Sequence, residues 1–313
     1  HGLESVLGLT DESINKLNSG AIASIESSDG TASETIAAAA GISITASDTA
    51  NLDSTITLGT STVADSSGVG SGVPGARGTG SVVSFNDVVG GASAIVDDTD
   101  LTAGGGNILV SAKESATIQS SVLNELESST DAGGLAATSG PSLARSGVIA
   151  VNLVQSAADA SVTDSKLTTT GVAGDVTVEA INEAQLTATA INAATSTGEV
   201  SGVGGGGSGS TTRGFTLAVN SLGVSLQNAI MGTVDSLLGG SVPDALLGSP
   251  SDATARLVDT IVTATGQVSV TALADSTLDS DVSNTTSASG SVSGLGLKGR
   301  QSLANGSAVS ISS

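Results

Sequence analysis

GDVTVEAINEAQLTATA, residues 174–190, alternates apolar and polar side chains with the period of two that marks a half-buried strand. Val176, Val178 and Ala180 point one way, and Asp175, Thr177 and Glu179 the other. After a short break the rhythm resumes at Ala184, Leu186 and Ala188. The motif recurs as GISITA before Ala50 and Leu52, as GNILVSA before Ala116 and Ile118, and as GQVSVTA before Ser276 and Leu278. The alanines that close it, Ala46, Ala112, Ala180 and Ala272, stand 66, 68 and 92 residues apart, so the chain is built of repeats.

A stack of repeats suits the composition. The 313 residues include two aromatic side chains, Phe85 and Phe215, no Trp or Tyr, and 42 Gly. Ala, Val, Ile and Leu are left to build a narrow interior, each unit burying its apolar face on its neighbours. Thirty acidic residues against nine basic ones give a net charge of −21, which disfavours nucleic acid and anionic lipid as partners. With no cysteine there is neither a disulfide framework nor thiol chemistry. No segment reaches the ~20 apolar residues of a membrane-spanning helix. The chain begins at His1 without a secretion signal, which suggests a mature product or a fragment.

Taken in order, Thr10 is placed to cap a short helical turn through Asp11, Glu12, Ile14 and Leu17. Asn18, Asn86, Asn152 and Asn220 follow at intervals of 68, 66 and 68 residues, a series read as a stacked amide ladder at a recurring corner. After the corner comes A-x-A-x-[VL]-x-D-[ST]-x-[LV]-T, found at 92–102, 158–168 and 253–263. Each unit also carries an arginine, Arg77, Arg145, Arg213 and, less regularly, Arg300, expected to pair with nearby acids or with a neighbouring subunit. The repeat units run approximately 18–85, 86–151, 152–219 and 220–313. The fourth is longer, and Leu222, Leu226, Ile230, Val234 and Leu238 recur at helical spacing, so 221–252 reads as a helical insertion. The final residues stop within an alternating strand, which suggests that a longer chain or another copy continues the stack.

Short strands separated by Gly, Asn and Asp turns predict an all-β fold, a right-handed parallel β-solenoid forming a single unit over 1–313. A 68-residue unit divides into about three coils of roughly 22 residues, and a dozen coils at ~4.8 Å would give a rod about 60 Å long. The alternative, a string of β-sandwiches, fits poorly with so few aromatics.

Ala-Val-Asn at 150–152 and 218–220, the A-x-A-x-V-x-D-S element and the G-D-V-T-V-x-A strand together resemble the repetitive regions of giant Gram-negative surface proteins. These are the filamentous-haemagglutinin-like and autotransporter-like adhesins. The resemblance implies an extracellular β-solenoid at the bacterial cell surface, serving as a stalk, adhesin or matrix fibre. Its expected partners are copies of itself, flanking repeats or a surface polysaccharide receptor, and it brings no catalytic residues.

Residue chemistry points the same way. The one histidine is His1, the basic residues are scattered, and no aromatic sugar platform exists, so neither acid–base catalysis nor a serine nucleophile is assembled. No cofactor is expected. A carbohydrate-binding or carbohydrate-cleaving β-helix is the rival reading. Calcium is a second alternative, with Asp97, Asp98, Asp100, Asp164 and Asp259 as oxygen donors at the equivalent corner, although no EF-hand or nonapeptide array is present.

Overall fold

The alternation that begins at Val176 runs on to Val203 as one 28-residue strand, buried at nearly every second side chain up to Val200. The computed structural model describes residues 11–27, 34–68, 72–73, 75–135, 138–204, 206–207, 209–223, 251–296 and 301–312. The strands group into successive circuits of the chain. The first holds β1 (Asp11–Asn18), β2 (Ala21–Glu26), β3 (Glu34–Ala38), β4 (Ile42–Ser67) and β5 (Gly72–Val73). The second holds β6 (Arg77–Asp97), β7 (Thr99–Ala103), β8 (Ile108–Leu135) and β9 (Thr138–Ser139); the third holds β10 (Ser142–Thr163), β11 (Lys166–Thr169) and β12 (Val176–Val203). The fourth holds β13 (Ser210–Leu222), β14 (Asp252–Val258), β15 (Ile261–Thr263) and β16 (Val268–Leu295), after which β17 (Leu303–Ser312) opens another circuit.

Each strand pairs in parallel with its counterpart one circuit away. Sheet A joins β1, β2, β6, β10, β13, β14 and β17; sheet B joins β3, β7, β11 and β15; sheet C joins β4, β8, β12 and β16; and sheet D joins β5 and β9. Ile42 lies beside Ile108, Ile108 beside Val176 and Val176 beside Val268, so one circuit occupies 66, 68 and then 92 residues. All the sheets are parallel, as a solenoid requires.

Sheets A and C form the two broad layers. Gly78 faces Leu126, Gly80 faces Asn124 and Gly90 faces Glu114, so the chain runs out along β6 and returns along β8 in the opposite direction. Ile56, Val122 and Ala190 of sheet C meet Val82, Val148 and Ala218 of sheet A. Ala92, Ala94 and Val96 meet Val110 and Ala112 where Leu101 of sheet B closes the end. Opposing a glycine with a large side chain keeps this core thin. Both phenylalanines belong to a separate apolar cluster on the other face of sheet A, with Val83, Ile149, Val151 and Leu217.

Three expectations need correction. A unit does not divide into three coils of 22 residues, because pairing joins residues a whole unit apart. Five sheet-A layers from β1 to β17 at ~4.8 Å make the described stack about 20 Å tall, while a 28-residue strand at ~3.3 Å per residue spans up to about 90 Å across it. The described chain is therefore a wide, short slab rather than a rod about 60 Å long. Second, the expected helical turn after Thr10 is strand β1, held by its pairing from Asp11↔Val82 to Asn18↔Val89; the gain from completing sheet A outweighs a weak local helix signal. Third, Asn18 is not the counterpart of Asn86, as described below. The expected helical insertion at 221–252 lies mostly outside the described residues; its ends, Ser221–Leu222 and Asp252, belong to β13 and β14.

Candidate functional site

Strand pairing turns the recurring residues into columns along the stack. Asn86 Nδ2 donates to Asn152 Oδ1 at 2.9 Å, and Asn152 Nδ2 donates to Asn220 Oδ1 at 2.9 Å. All three are fully buried between the layers. The first rung is Asn15, whose Nδ2 donates to Asn86 Oδ1 at 2.8 Å, and not Asn18, which lies beside Val89 and is exposed. The physical reason is the connection after β2. Glu26 and Glu34 pair with Asp97 and Thr99, so the first circuit takes extra residues at this corner and β1 sits 71 residues from β6. A shift of three residues in a strand also exchanges its faces, which turns Asn18 outward.

Sheet C carries a second ladder with no place in the sequence reading. Asn124 Nδ2 donates to Asn192 Oδ1, and Asn192 Nδ2 to Asn284 Oδ1, each at 3.2 Å. The spacing of Asn124 and Asn192, 68 residues, was the available signal.

The acidic corner has a conformational explanation. Asp98, Asp164 and Asp259 each have φ of 47°, the left-handed region that Asp tolerates better than most side chains. Asp98 N donates to Thr163 O and Asp164 N to Val258 O, both at 3.1 Å, joining successive corners. The hydroxyl that follows bonds back to the carbonyl two residues before it, as in Thr99 Oγ1 to Asp97 O at 2.9 Å, Ser165 Oγ to Thr163 O at 2.6 Å and Thr260 Oγ1 to Val258 O at 2.8 Å. The D-[ST] pair is therefore a turn between sheets A and B. Asp97 lies beside Thr163 and Asp100 beside Lys166. Among the described residues no group of three His, Cys, Asp or Glu is placed to hold a metal ion.

Arg77, Arg145 and Arg213 are all exposed on sheet A. Arg145 lies directly beside Arg213, but Arg77 lies beside Leu143, so the even spacing in sequence does not make one column. Ion pairs join Lys16 to Asp87 at 3.3 Å, Lys113 to Glu179 at 3.5 Å and Arg256 to Asp159 at 3.4 Å, and these do not involve the three arginines. Arg300 lies outside the described residues.

One acidic cluster was not anticipated. Glu114 occupies an inward position of β8, between Ala112 and Ala116, and is 1 % exposed. Asp48 lies beside it on β4, 8 % exposed. Ser19 Oγ donates to Asp48 Oδ2 at 2.8 Å, and the Gly91 N–H donates to the same oxygen at 3.2 Å. Neither Glu114 oxygen has a hydrogen-bond donor. Burial first, and then the charge and hydrogen bonding of Asp48, raise the Glu114 pKa from 4.5 to about 8. In the next circuit the equivalent position is Asn182, satisfied by Ser156. A glutamate breaking the apolar alternation of Ile108, Val110 and Ala112 was the signal for this site.

The outward face of sheet C is rich in hydroxyl and acidic side chains. Asp65, Asp131 and Glu199 stand in one column. Gly59 leaves an open depression of ≈ 500 Å³, bordered by Ser61, Glu125, Glu127 and Thr195. Chemically this face offers acceptors and hydroxyls with Lys113 as its cation, while the carboxyls of Asp48 and Glu114 are closed in between the layers. No described helix is long and apolar enough to cross a membrane. No protein-family model matches the chain, and no curated protein or solved structure matches it significantly.

Proposed function

We propose that the chain is a non-enzymatic structural and adhesive segment of a secreted bacterial surface fibre, a right-handed parallel β-solenoid of ~68-residue repeats with one helical insertion. It acts at the cell surface or in an extracellular matrix through association with copies of itself, with flanking repeats of a longer chain, or with a surface receptor. The observation that carries this reading is the continuity of the stack. Backbone ladders and the Asn15–Asn86–Asn152–Asn220 amide column run through successive circuits in register, the arrangement that makes a solenoid stiff and extendable. The predominantly acidic outward face of sheet C favours solubility on that side and axial growth as the direction of assembly.

Electron microscopy and fibre diffraction of the native material test it. Filaments or long slabs with a ~4.8 Å spacing along the long axis support the reading. Particles about 20 Å tall that neither assemble at any concentration nor attach to bacterial surfaces overturn it. The depression beside Gly59 favours carbohydrate as a second class of partner, because Thr60, Ser61, Thr195, Glu125 and Glu127 supply hydroxyls and carboxylates at an open surface. Binding to a panel of bacterial polysaccharides that Glu125→Gln and Glu127→Gln together remove would establish this reading.

A further inference from the structure

Asp48 and Glu114 stand side by side on adjacent parallel strands, where the first circuit of the stack meets the second. Their pocket is shaped for them. A β-carbon on Gly90 would lie 2.7 Å from Glu114 Oε1, 3.0 Å from Asp48 Oδ2 and 3.0 Å from Ser19 Oγ, so a larger residue there would displace these side-chain ends from their present positions. Ser19 Oγ and the Gly91 N–H supply donors to Asp48, and none reaches Glu114. Two adjacent carboxylates with donors on one alone cannot both be ionised at low cost. A proton between them meets both needs, because it gives Glu114 a hydroxyl to donate to Asp48 and removes one of the like charges.

We propose that Glu114 holds a proton, donates it to Asp48 in a hydrogen bond, and with it acts as a pH-sensitive clasp between the first two circuits, closed when the proton is held and loosened when it is lost. The groups facing Glu114 are Asp48 on β4, Asn182 on β12, Gly90 on β6 and the Ser19 hydroxyl before β2; Asp48 is the titratable one among them. Lys113 and Glu179 pair with each other on the opposite face of sheet C, and Asp87 pairs with Lys16 on the other face of sheet A.

A carboxyl whose pKa is higher in the folded than in the unfolded chain leaves the native state holding more protons between the two values. Stability therefore falls as pH rises through that window, from 4.5 to about 8. Glu114→Gln keeps the shape and the donor without the titration. The experiment measures urea midpoints of the wild type, Glu114→Gln and the exposed control Glu183→Gln from pH 5 to pH 9. Expected is a wild-type midpoint that falls with pH, a Glu183→Gln profile parallel to it, and a Glu114→Gln profile that is flatter and lies above wild type at pH 8. Parallel wild-type and Glu114→Gln profiles would overturn the proposal. So would a pH dependence abolished by calcium in the wild type but not in Glu114→Gln, since the pair would then hold a cation. Should Glu114→Gln fail to fold, infrared titration of the wild type decides: a protonated carboxyl persisting above pH 7 supports the clasp, and full ionisation of the carboxyls by pH 7 overturns it.

Discussion

Replacing Asn152 by alanine tests whether the buried amide column holds successive circuits together. Asn152 Nδ2 donates to Asn220 Oδ1 at 2.9 Å and to Thr187 O at 3.0 Å, and Asn152 Oδ1 accepts from Asn86 Nδ2 at 2.9 Å. The side chain is fully buried, so water does not replace what is lost. Truncation leaves Asn220 Oδ1 without this donor and Asn86 Nδ2 with only a long contact to Ser84 Oγ at 3.4 Å. An unsatisfied buried polar group costs about 1–3 kcal/mol, so the expected loss is about 3–5 kcal/mol once a small cavity is included. Asn18→Ala is the matched control. Asn18 is exposed and outside the column, and its substitution should change stability by less than about 0.5 kcal/mol. Urea unfolding followed by circular dichroism measures both. Asn152→Ala combined with Asn220→Ala should cost less than the sum of the two, because one variant has already broken the bond they share. Equal effects of Asn152→Ala and Asn18→Ala, or strict additivity of Asn152 with Asn220, would show that the amide column does not hold the circuits together.

Gly202, at φ +142°, lies against the backbone of Gly134, so Gly202→Ala should cost about 2–4 kcal/mol by thermal or urea unfolding. Gly59→Ala meets no atom within 4 Å and should be neutral or slightly stabilising in the same assay. At the left-handed corner, Asp164→Asn and Asp164→Gly should leave stability nearly unchanged, whereas Asp164→Val should lower it by about 1–2 kcal/mol. A calcium-binding role for the corner would instead make all three substitutions abolish a calcium-induced rise in melting temperature.

The repeats and the strand alternation were readable because both are local patterns, but the number of circuits per repeat was not. The interruption at Ile181–Asn182–Glu183 resembles the end of a strand, yet β12 passes through it unbroken. Asn182 is an inward residue whose partners, Ser156 and the Asp252 carbonyl, lie on sheet A, and only the opposing layer explains a polar side chain there. Glu114 is the same position one circuit earlier. Polar residues inside the slab thus look like turns, and cutting the strands at them gives coils that are too small. Equal spacing also misled at Asn18, since a longer corner after β2 displaced the pairing while leaving a 68-residue interval to Asn86. The aspartate corner was legible as a turn; its left-handed backbone and the linked hydroxyls needed the third dimension.

One repeat makes one circuit, with strands running the full width of the slab. The chain has no cysteine, so spin labels can be placed at Glu183→Cys and Glu199→Cys, two exposed positions of β12, and their separation measured by pulsed electron resonance. Sixteen residues of continuous strand predict a separation of about 50 Å. A distance below about 25 Å, the width available within a coil of roughly 22 residues, would mean that β12 is folded into smaller coils.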